Sequence, residues 1–286
     1  MKSLLILKCC LINFNEFDRN RRRLSESLHP SVSLNGRLMG VSSDCKWLYI
    51  GGQVDHSVRI YSLPKMRVAW SAVQHIDIVT CLAVDDGGTQ LMSGSRDTTC
   101  VVWDVSTSLS GAYLTSVQVL YGHDKPITCV GLSTALDMAV SGSLDGSVNV
   151  HTIKEGQYIR TLQVHSGIER IISHLTLSSK GDVIFTAEEK DNFSMHVYTV
   201  NGDHVGRSYS PFAFTALAST EGCVVAADCS GEVTVRNVLG LAPLFQLQMH
   251  SAVEALVVAP RNTQLIVALR DGKVVVVAPR LPYSLH

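Results

Sequence analysis

The sequence predicts an all-β chain whose repeated units form four-stranded sheets arranged radially, as in a β-propeller. Three observations support this prediction. A turn motif recurs at a nearly fixed interval, a histidine recurs at the same interval, and the segments between them are short, β-rich and almost without helical periodicity.

The turn motif consists of an apolar strand, a step of small residues, a turn with Asp or Gly, and a second alternating strand. Its turn positions are residues 55, 97, 145, 191, 230 and 271, which are 42, 48, 46, 39 and 41 residues apart. In the third unit the turn contains Asp145-Gly146, a dipeptide typical of tight hairpins because such turns require positive φ. Six units of a repeat architecture are therefore recognisable.

The recurring histidine precedes a new apolar strand each time. His75, His123, His165 and His250 are 48, 42 and 85 residues apart, and the last interval equals two steps with one histidine lost. Two independent markers that share one interval make chance repetition implausible.

The third unit shows how each repeat is built. Residues 127–132, 137–143, 147–153 and 157–163 read as four strands separated by turn residues. A lone four-stranded sheet cannot bury both faces, whereas sheets placed around a channel can. We expect a propeller over residues 34–286, either seven-bladed or an incomplete ring, and a flexible lead-in or one stray strand over residues 1–33.

The charge composition limits the kinds of partner that the chain can bind directly. Lys+Arg 24 against Asp+Glu 25 gives a net charge of −1, and charged residues make up 17% of the chain. Nucleic acid and anionic membranes both require a clear basic excess, so neither is expected as a direct partner. Contact with a membrane would be indirect, through partner proteins. No apolar run approaches the ~18 residues of a transmembrane helix.

The eight cysteines predict neither a metal site nor a cofactor. No Cys-x-x-Cys pair occurs, so a structural zinc is not expected. We expect buried free thiols in a reducing cytosol, with a disulfide framework as the alternative. The one basic cluster spans residues 19–23 and makes Ser25 a candidate kinase site, with a solvated lead-in or a targeting patch as alternatives.

The second unit resembles the WD-repeat family, from His75 through Ser93-Gly94-Ser95-Arg96-Asp97 to Trp103-Asp104. In that family a buried histidine, hydroxyl, aspartate and tryptophan form one hydrogen-bonded group. The resemblance therefore implies two such groups, here called tetrads, formed by His75, Ser93, Asp97 and Trp103, and by His123, Ser141 and Asp145. His151 replaces the second tryptophan, so that blade should be weaker, and later units carry Tyr198, Arg236 and Val277 in or near this position.

A histidine, an aspartate and a serine could also form a hydrolase triad. However, the group repeats in successive units, whereas catalysis needs one constellation in one cleft. No Gly-x-Ser-x-Gly elbow, phosphate-binding glycine loop or His-Glu-x-x-His helix is present. The sequence thus predicts no catalytic residues, with a propeller enzyme as the less favoured alternative.

Several further motifs, which occur in the same order along the chain, narrow the resemblance to one group of WD-repeat proteins. Residues 51–62, 78–83, 93–99 and 136–143, with Val150-His151-Thr152-Ile153, are similar to the propeller that follows the BEACH domain in neurobeachin-type proteins. This implies a cytoplasmic scaffold of vesicle and membrane traffic, peripheral to endomembranes, whose propeller binds proteins. It also implies that the chain is a fragment or short form that lacks the BEACH domain. An independent WD-repeat adaptor of another complex is the alternative.

Propeller loops present rigid binding faces. We expect the partner-binding loops to be Ser106 to Ala112 and the turns around Asp55, Arg96 and Leu144.

Overall fold

A computed structural model describes residues 35–65, 67–108, 111–163, 170–190, 192–220, 222–259 and 264–278. Several sequence predictions lie outside the described residues: the lead-in over residues 1–33, the basic cluster with Ser25, and the repeat markers His165 and Asp191.

The described residues form 23 strands after one 3₁₀ turn at Gly36–Leu38, and they fall into six sheets. Blade 1 contains β1 (Met39–Val41), β2 (Trp47–Ile50), β3 (Val58–Ser62) and β4 (Arg67–Ala72). Blade 2 contains β5 (Val79–Val84), β6 (Gln90–Ser95), β7 (Cys100–Thr107) and β8 (Ala112–Leu120). Blade 3 contains β9 (Ile127–Ser133), β10 (Met138–Ser143), β11 (Ser147–Thr152) and β12 (Tyr158–Gln163).

The remaining blades follow the same plan. Blade 4 contains β13 (Ile171–Leu177), β14 (Val183–Glu188), β15 (Phe193–Tyr198) and β16 (His204–Ser210). Blade 5 contains β17 (Phe214–Ser219), β18 (Cys223–Asp228), β19 (Glu232–Asn237) and β20 (Pro243–Gln248). Blade 6 contains β21 (Val253–Val258), β22 (Leu265–Leu269) and β23 (Val274–Val277).

Every sheet is an antiparallel meander in sequence order, and the first strand of each blade lies beside the first strand of the next, from β1 to β21. The prediction of a six-unit all-β propeller is therefore confirmed. The four strands expected in the third unit begin and end within one residue of the observed bounds. None of the helical turns in the described ranges is long and apolar enough to cross a bilayer.

Apolar side chains fill the space between neighbouring sheets. Tyr49 and Ile60 of blade 1 pack with Leu91 and Trp103 of blade 2, and each is at most 2% exposed. The same layering continues between the later blades. Because each sheet is covered by its neighbours, the repeat unit is stable only in an array.

Antiparallel order sorts the connections onto two faces. The turns between second and third strands, and the segments that join one blade to the next, lie on one side. We call this side the His–Asp face, because it carries His75, Asp97, His123 and Asp145. Turns between third and fourth strands lie on the opposite face.

The same bulge interrupts the first strand of blades 2 to 6. One residue in each first strand is skipped in the register with the second strand. The skipped residues are Thr80, Thr128, Ser173, Thr215 and Glu254. Two of their hydroxyls join adjacent blades, since Thr80 donates to the Ile127 carbonyl at 2.6 Å and Thr128 to the Ile172 carbonyl at 2.5 Å.

The expected loop from Ser106 to Ala112 is wrong. Ser106 pairs with Tyr113 and Thr107 with Ala112, so β7 and β8 continue as a long hairpin into the range expected to be a loop. This hairpin ends on the opposite face from the turns at Asp55, Arg96 and Leu144. Alternating β-branched residues allowed strand pairing to extend through polar positions that resembled a loop.

The six described cysteines are free thiols. Cys81, Cys100 and Cys129 are buried as expected, Cys45 and Cys223 are half-buried, and Cys229 is exposed in the turn after β18. Burial raises the pKa of Cys81 to about 12 and that of Cys129 to about 11.

Candidate functional site

The tetrad of blade 2 forms a continuous chain of hydrogen bonds. Trp103 Nε1 donates to Ser93 Oγ at 2.8 Å, and Ser93 Oγ lies 2.8 Å from His75 Nε2. His75 Nδ1 lies 3.0 Å from Asp97 Oδ2. With Nδ1–H donating to the carboxylate, Nε2 accepts the serine proton and every donor has one acceptor.

Asp97 organises the turn around it. Thr99 Oγ1 donates to Oδ1 at 2.6 Å, and the backbone N–H of Ile76 donates to Oδ2 at 2.9 Å. Burial acts to raise the pKa of this carboxyl, but the bonds from Thr99 and Ile76 lower it below its usual value. One ionised side chain therefore fixes both the turn before β7 and the segment entering β5.

Burial sets the charge state of His75. Desolvation lowers its pKa below the usual value and outweighs the opposing attraction of Asp97. The side chains of His75 and Asp97 are only 1% and 5% exposed, so no substrate can reach them from solvent. A neutral imidazole between a serine and a carboxylate here satisfies buried polar atoms.

Blade 3 repeats most of this geometry. His123 Nδ1 lies 3.0 Å from Asp145 Oδ2, and Nε2 lies 2.9 Å from Ser141 Oγ. His151 is paired with Ala139 as Trp103 is paired with Leu91, so it takes the tryptophan position. Its Nε2 contacts the Tyr121 carbonyl at 3.0 Å, and its buried Nδ1 has no hydrogen-bond partner. His151 therefore does not bond the serine as Trp103 does, and one of its buried nitrogens has no partner. Both features would make this blade less stable than blade 2.

The later blades replace the tetrad. The register places Tyr198, Arg236 and Val277 opposite the residues that correspond to Leu91. In blade 4 Phe185 takes the serine position and stacks on Tyr198 with ring centroids 5.6 Å apart. Blade 6 retains only a His250–Asp271 pair, at 2.9 Å and half-exposed.

In blade 1 an arginine takes over the role of the histidine, and sequence reasoning missed it. Arg59 Nη2 lies 2.6 Å from Asp55 Oδ2, and Arg59 Nε donates to Ser57 Oγ at 3.1 Å. Ser57 in turn bonds Asp55 as Thr99 bonds Asp97. The spacing Asp55-x-Ser57-x-Arg59 was the available indication, since it places a carboxylate, a hydroxyl and a guanidinium within five residues where the turn enters β3.

Removing one member of the blade 2 tetrad should leave a buried partner unsatisfied. His75→Ala and Asp97→Ala are each expected to lower the free energy of unfolding by about 1–3 kcal/mol. Denaturant melts of both variants and the wild type would measure this. Unchanged midpoints in both variants would contradict a structural role for the tetrad.

The His–Asp face beside the tetrads carries exposed apolar side chains. Val54 lies in the turn between β2 and β3, Val73 and Ile76 join blade 1 to blade 2, and Tyr121 joins blade 2 to blade 3. They are 60%, 62%, 84% and 68% exposed. We call these four residues the apolar rim. Asp97 accepts the backbone N–H of Ile76, so the tetrad fixes the backbone of this member of the rim.

The sequence of this chain matches two protein-family models and several known proteins. A family model described as "Neurobeachin beta propeller domain" matches residues 112–283, and one described as "WD domain, G-beta repeat" matches residues 70–104. The "BEACH domain-containing protein B" of Arabidopsis thaliana is 35% identical over 206 residues, which cover 65% of this chain and 8% of that protein. A "Putative neurobeachin homolog" of Caenorhabditis elegans is 23% identical over 270 residues, covering 90% of this chain and 10% of that protein.

The chain thus spans a tenth or less of the length of these curated relatives. Two solved structures share the fold. The computationally designed Ika8 protein superposes with a TM-score of 0.66 at 23% identity, covering 84% of this chain and 70% of that one. The structure of U3-55K gives 0.66 at 19% identity, with 81% and 72% covered.

Proposed function

Because the chain belongs to the neurobeachin β-propeller family, we propose that it is a non-enzymatic protein-binding platform that serves membrane traffic. Its place of work would be the cytoplasm, peripheral to endomembranes and attached to them through partners. The family relationship supports this proposal, as do the names of the BEACH-domain relatives.

The apolar rim is the observation on which the binding role rests. Four large apolar side chains follow one another around one face, and each is at least 60% exposed. Exposed apolar side chains held on a rigid backbone are typical of protein-interaction sites, since burying them against a partner releases water at little entropic cost. The tetrads beside them occur in two successive blades, and their histidine side chains are at most 3% exposed, which favours a supporting role over catalysis.

A charge placed on the apolar rim should abolish partner binding. The double variant Ile76→Asp/Tyr121→Asp is expected to reduce protein capture by the tagged chain about tenfold or more, because two anchor side chains become charged. Capture from a cytosolic and membrane extract, followed by mass spectrometry, would measure it and name the partners.

Leu239 offers a matched control. It is 69% exposed, much like Tyr121, but lies in the turn between β19 and β20 on the opposite face. Leu239→Asp should capture the same proteins as the wild type. Undiminished capture by the rim variant would overturn the proposed surface, and a captured set without vesicle or endosomal proteins would overturn the trafficking role.

A further inference from the structure

The central channel at the His–Asp face contains an arginine that crosses it. Arg37 lies in the 3₁₀ turn before β1, and its Nη2 is 2.7 Å from Nε2 of His174 on β13. These residues belong to blades 1 and 4, whose first strands are separated by those of blades 2 and 3. The positive charge of Arg37 also acts on the thiols of Cys81 and Cys129, which belong to those two blades. The guanidinium therefore lies among the first strands, inside the channel.

The contact with His174 cannot be satisfied as it stands. The same Nε2 also lies 2.8 Å from the Thr215 carbonyl oxygen. Burial lowers the pKa of His174 to about 3, so the ring is neutral and carries a single N–H. If Nε2–H donates to the carbonyl, it meets an N–H of Arg37. If Nε2 accepts from Arg37, its lone pair meets the carbonyl oxygen.

The other ring nitrogen does not resolve this conflict. Nδ1 lies 3.3 Å from both Ser173 Oγ and Thr186 Oγ1. Hydroxyls donate or accept by rotating, so they accommodate either tautomer. One of the two contacts at Nε2 is unfavourable in both tautomers.

Arg37 also has no acidic partner in the part of the chain that the structure describes. Two other charged residues at this end of the first strands are already paired. Arg170 bonds Glu189, and Glu254 lies 2.7 Å from Arg270. Arg37 is half-buried, and thus accessible at the mouth of the channel. A buried or partly buried guanidinium is most stable with a carboxylate that accepts two parallel N–H bonds.

We propose that Arg37 binds a carboxylate of an acidic peptide segment of the partner protein, inserted into the channel mouth. This deepens the proposed function, on which it rests, by naming the chemistry of the partner. The incoming carboxylate accepts the N–H groups of Arg37, and His174 Nε2–H is then free to donate to the Thr215 carbonyl. The Arg37 guanidinium and the His174 ring, which compete in the free chain, then each donate to their own acceptor.

Glu-to-Gln substitution in peptides isolates the carboxylate. The probe is a positional-scanning library of labelled peptides about nine residues long, each position carrying Glu or Gln in turn, bound to the full chain. At one position Glu should bind about tenfold more tightly than Gln, as expected for one charge-assisted pair. Arg37→Gln should bring this ratio close to one, and Arg37→Lys should retain part of it.

Lys190→Gln is the matched control, since Lys190 carries the same charge and is exposed on the same face, between β14 and β15. It should leave the ratio unchanged. A preference for Glu that persists in Arg37→Gln would overturn the proposal. So would peptide binding with no preference for Glu, or displacement of peptides by inorganic phosphate but not by acetate. In those cases the rim variant would still test the binding platform, whereas absence of both peptide binding and protein capture would overturn the platform as well.

A melt of each variant separates binding from folding. If Arg37→Gln fails to fold, Arg37→Lys provides the test, because it keeps the charge and removes the planar fork. A ratio in folded Arg37→Lys equal to that of the wild type would then contradict recognition by the guanidinium.

Discussion

Trp103→Ala is expected to lower the free energy of unfolding by about 3–5 kcal/mol, a cost typical of deleting a buried aromatic side chain. Trp103 is 2% exposed and packs between blades 1 and 2 with Tyr49 and Ile60. Its loss removes that packing and also the N–H that Ser93 Oγ accepts. For a chain of this size the melting midpoint should fall by roughly 10 °C, as measured by calorimetry.

Trp103→Phe separates the two contributions. Phenylalanine keeps an aromatic ring but lacks the donor and part of the indole, so the expected cost is about 1 kcal/mol for the hydrogen bond plus a packing loss smaller than that of Trp103→Ala. His151→Ala in blade 3 is the companion variant, because His151 occupies the same register position without bonding the serine. A loss in His151→Ala as large as that in Trp103→Ala would show that the tryptophan tetrad is not the stronger tie.

The interval between turn aspartates predicted the blades because that spacing is fixed by local chemistry. Asp97 and Asp145 lie three and two residues before a third strand, and each bonds a hydroxyl two residues later. Such contacts lie within one turn, so they are visible in the sequence. The third unit was predicted to within a residue for the same reason.

Other features depend on contacts between distant parts of the chain. Arg37 and His174 are 137 positions apart, and no local pattern links them. Phe185 is seen to take the serine position of blade 4 only when the strands are aligned on the bulge that Ser173 shares with Thr80 of blade 2. A bulge depends on how two strands and the neighbouring blade pack, which spacing alone does not reveal.

Acidification should destabilise the propeller through two buried histidines. Burial lowers the pKa of His174 to about 3, with Arg37 adding repulsion, and burial lowers that of His196 to about 4. His204, Arg170 and Arg207 add to the lowering at His196.

The sign follows from proton binding. In the unfolded chain a histidine has a pKa of about 6.5. Below that pH the unfolded chain binds protons that the folded chain does not bind, so the free energy of unfolding falls as pH falls until the folded pKa is reached. At about pH 5 each histidine should cost about 2 kcal/mol, or about 4 kcal/mol together, relative to about pH 7.5. Denaturant melts across this range would measure the loss. The paired aspartates do not contribute here, because their lowered pKa values place their titration below about pH 4.

His196→Phe tests the assignment, since Phe can keep the stack that His196 makes on Phe185 at 5.6 Å. Removing His196 should take about 2 kcal/mol out of the loss between about pH 7.5 and about pH 5. His75, His151 and His204 continue to contribute, because burial lowers their pKa values as well. The full slope in this variant would assign the effect to other groups, and a flat wild-type profile would show that the two histidines are protonated as readily in the folded chain as in the unfolded one.

The slope of stability against pH also reports on the channel, because a carboxylate bound to Arg37 offsets the positive charge that helps keep His174 neutral. A saturating acidic peptide should therefore make the profile shallower in the wild type and leave it unchanged in Arg37→Gln.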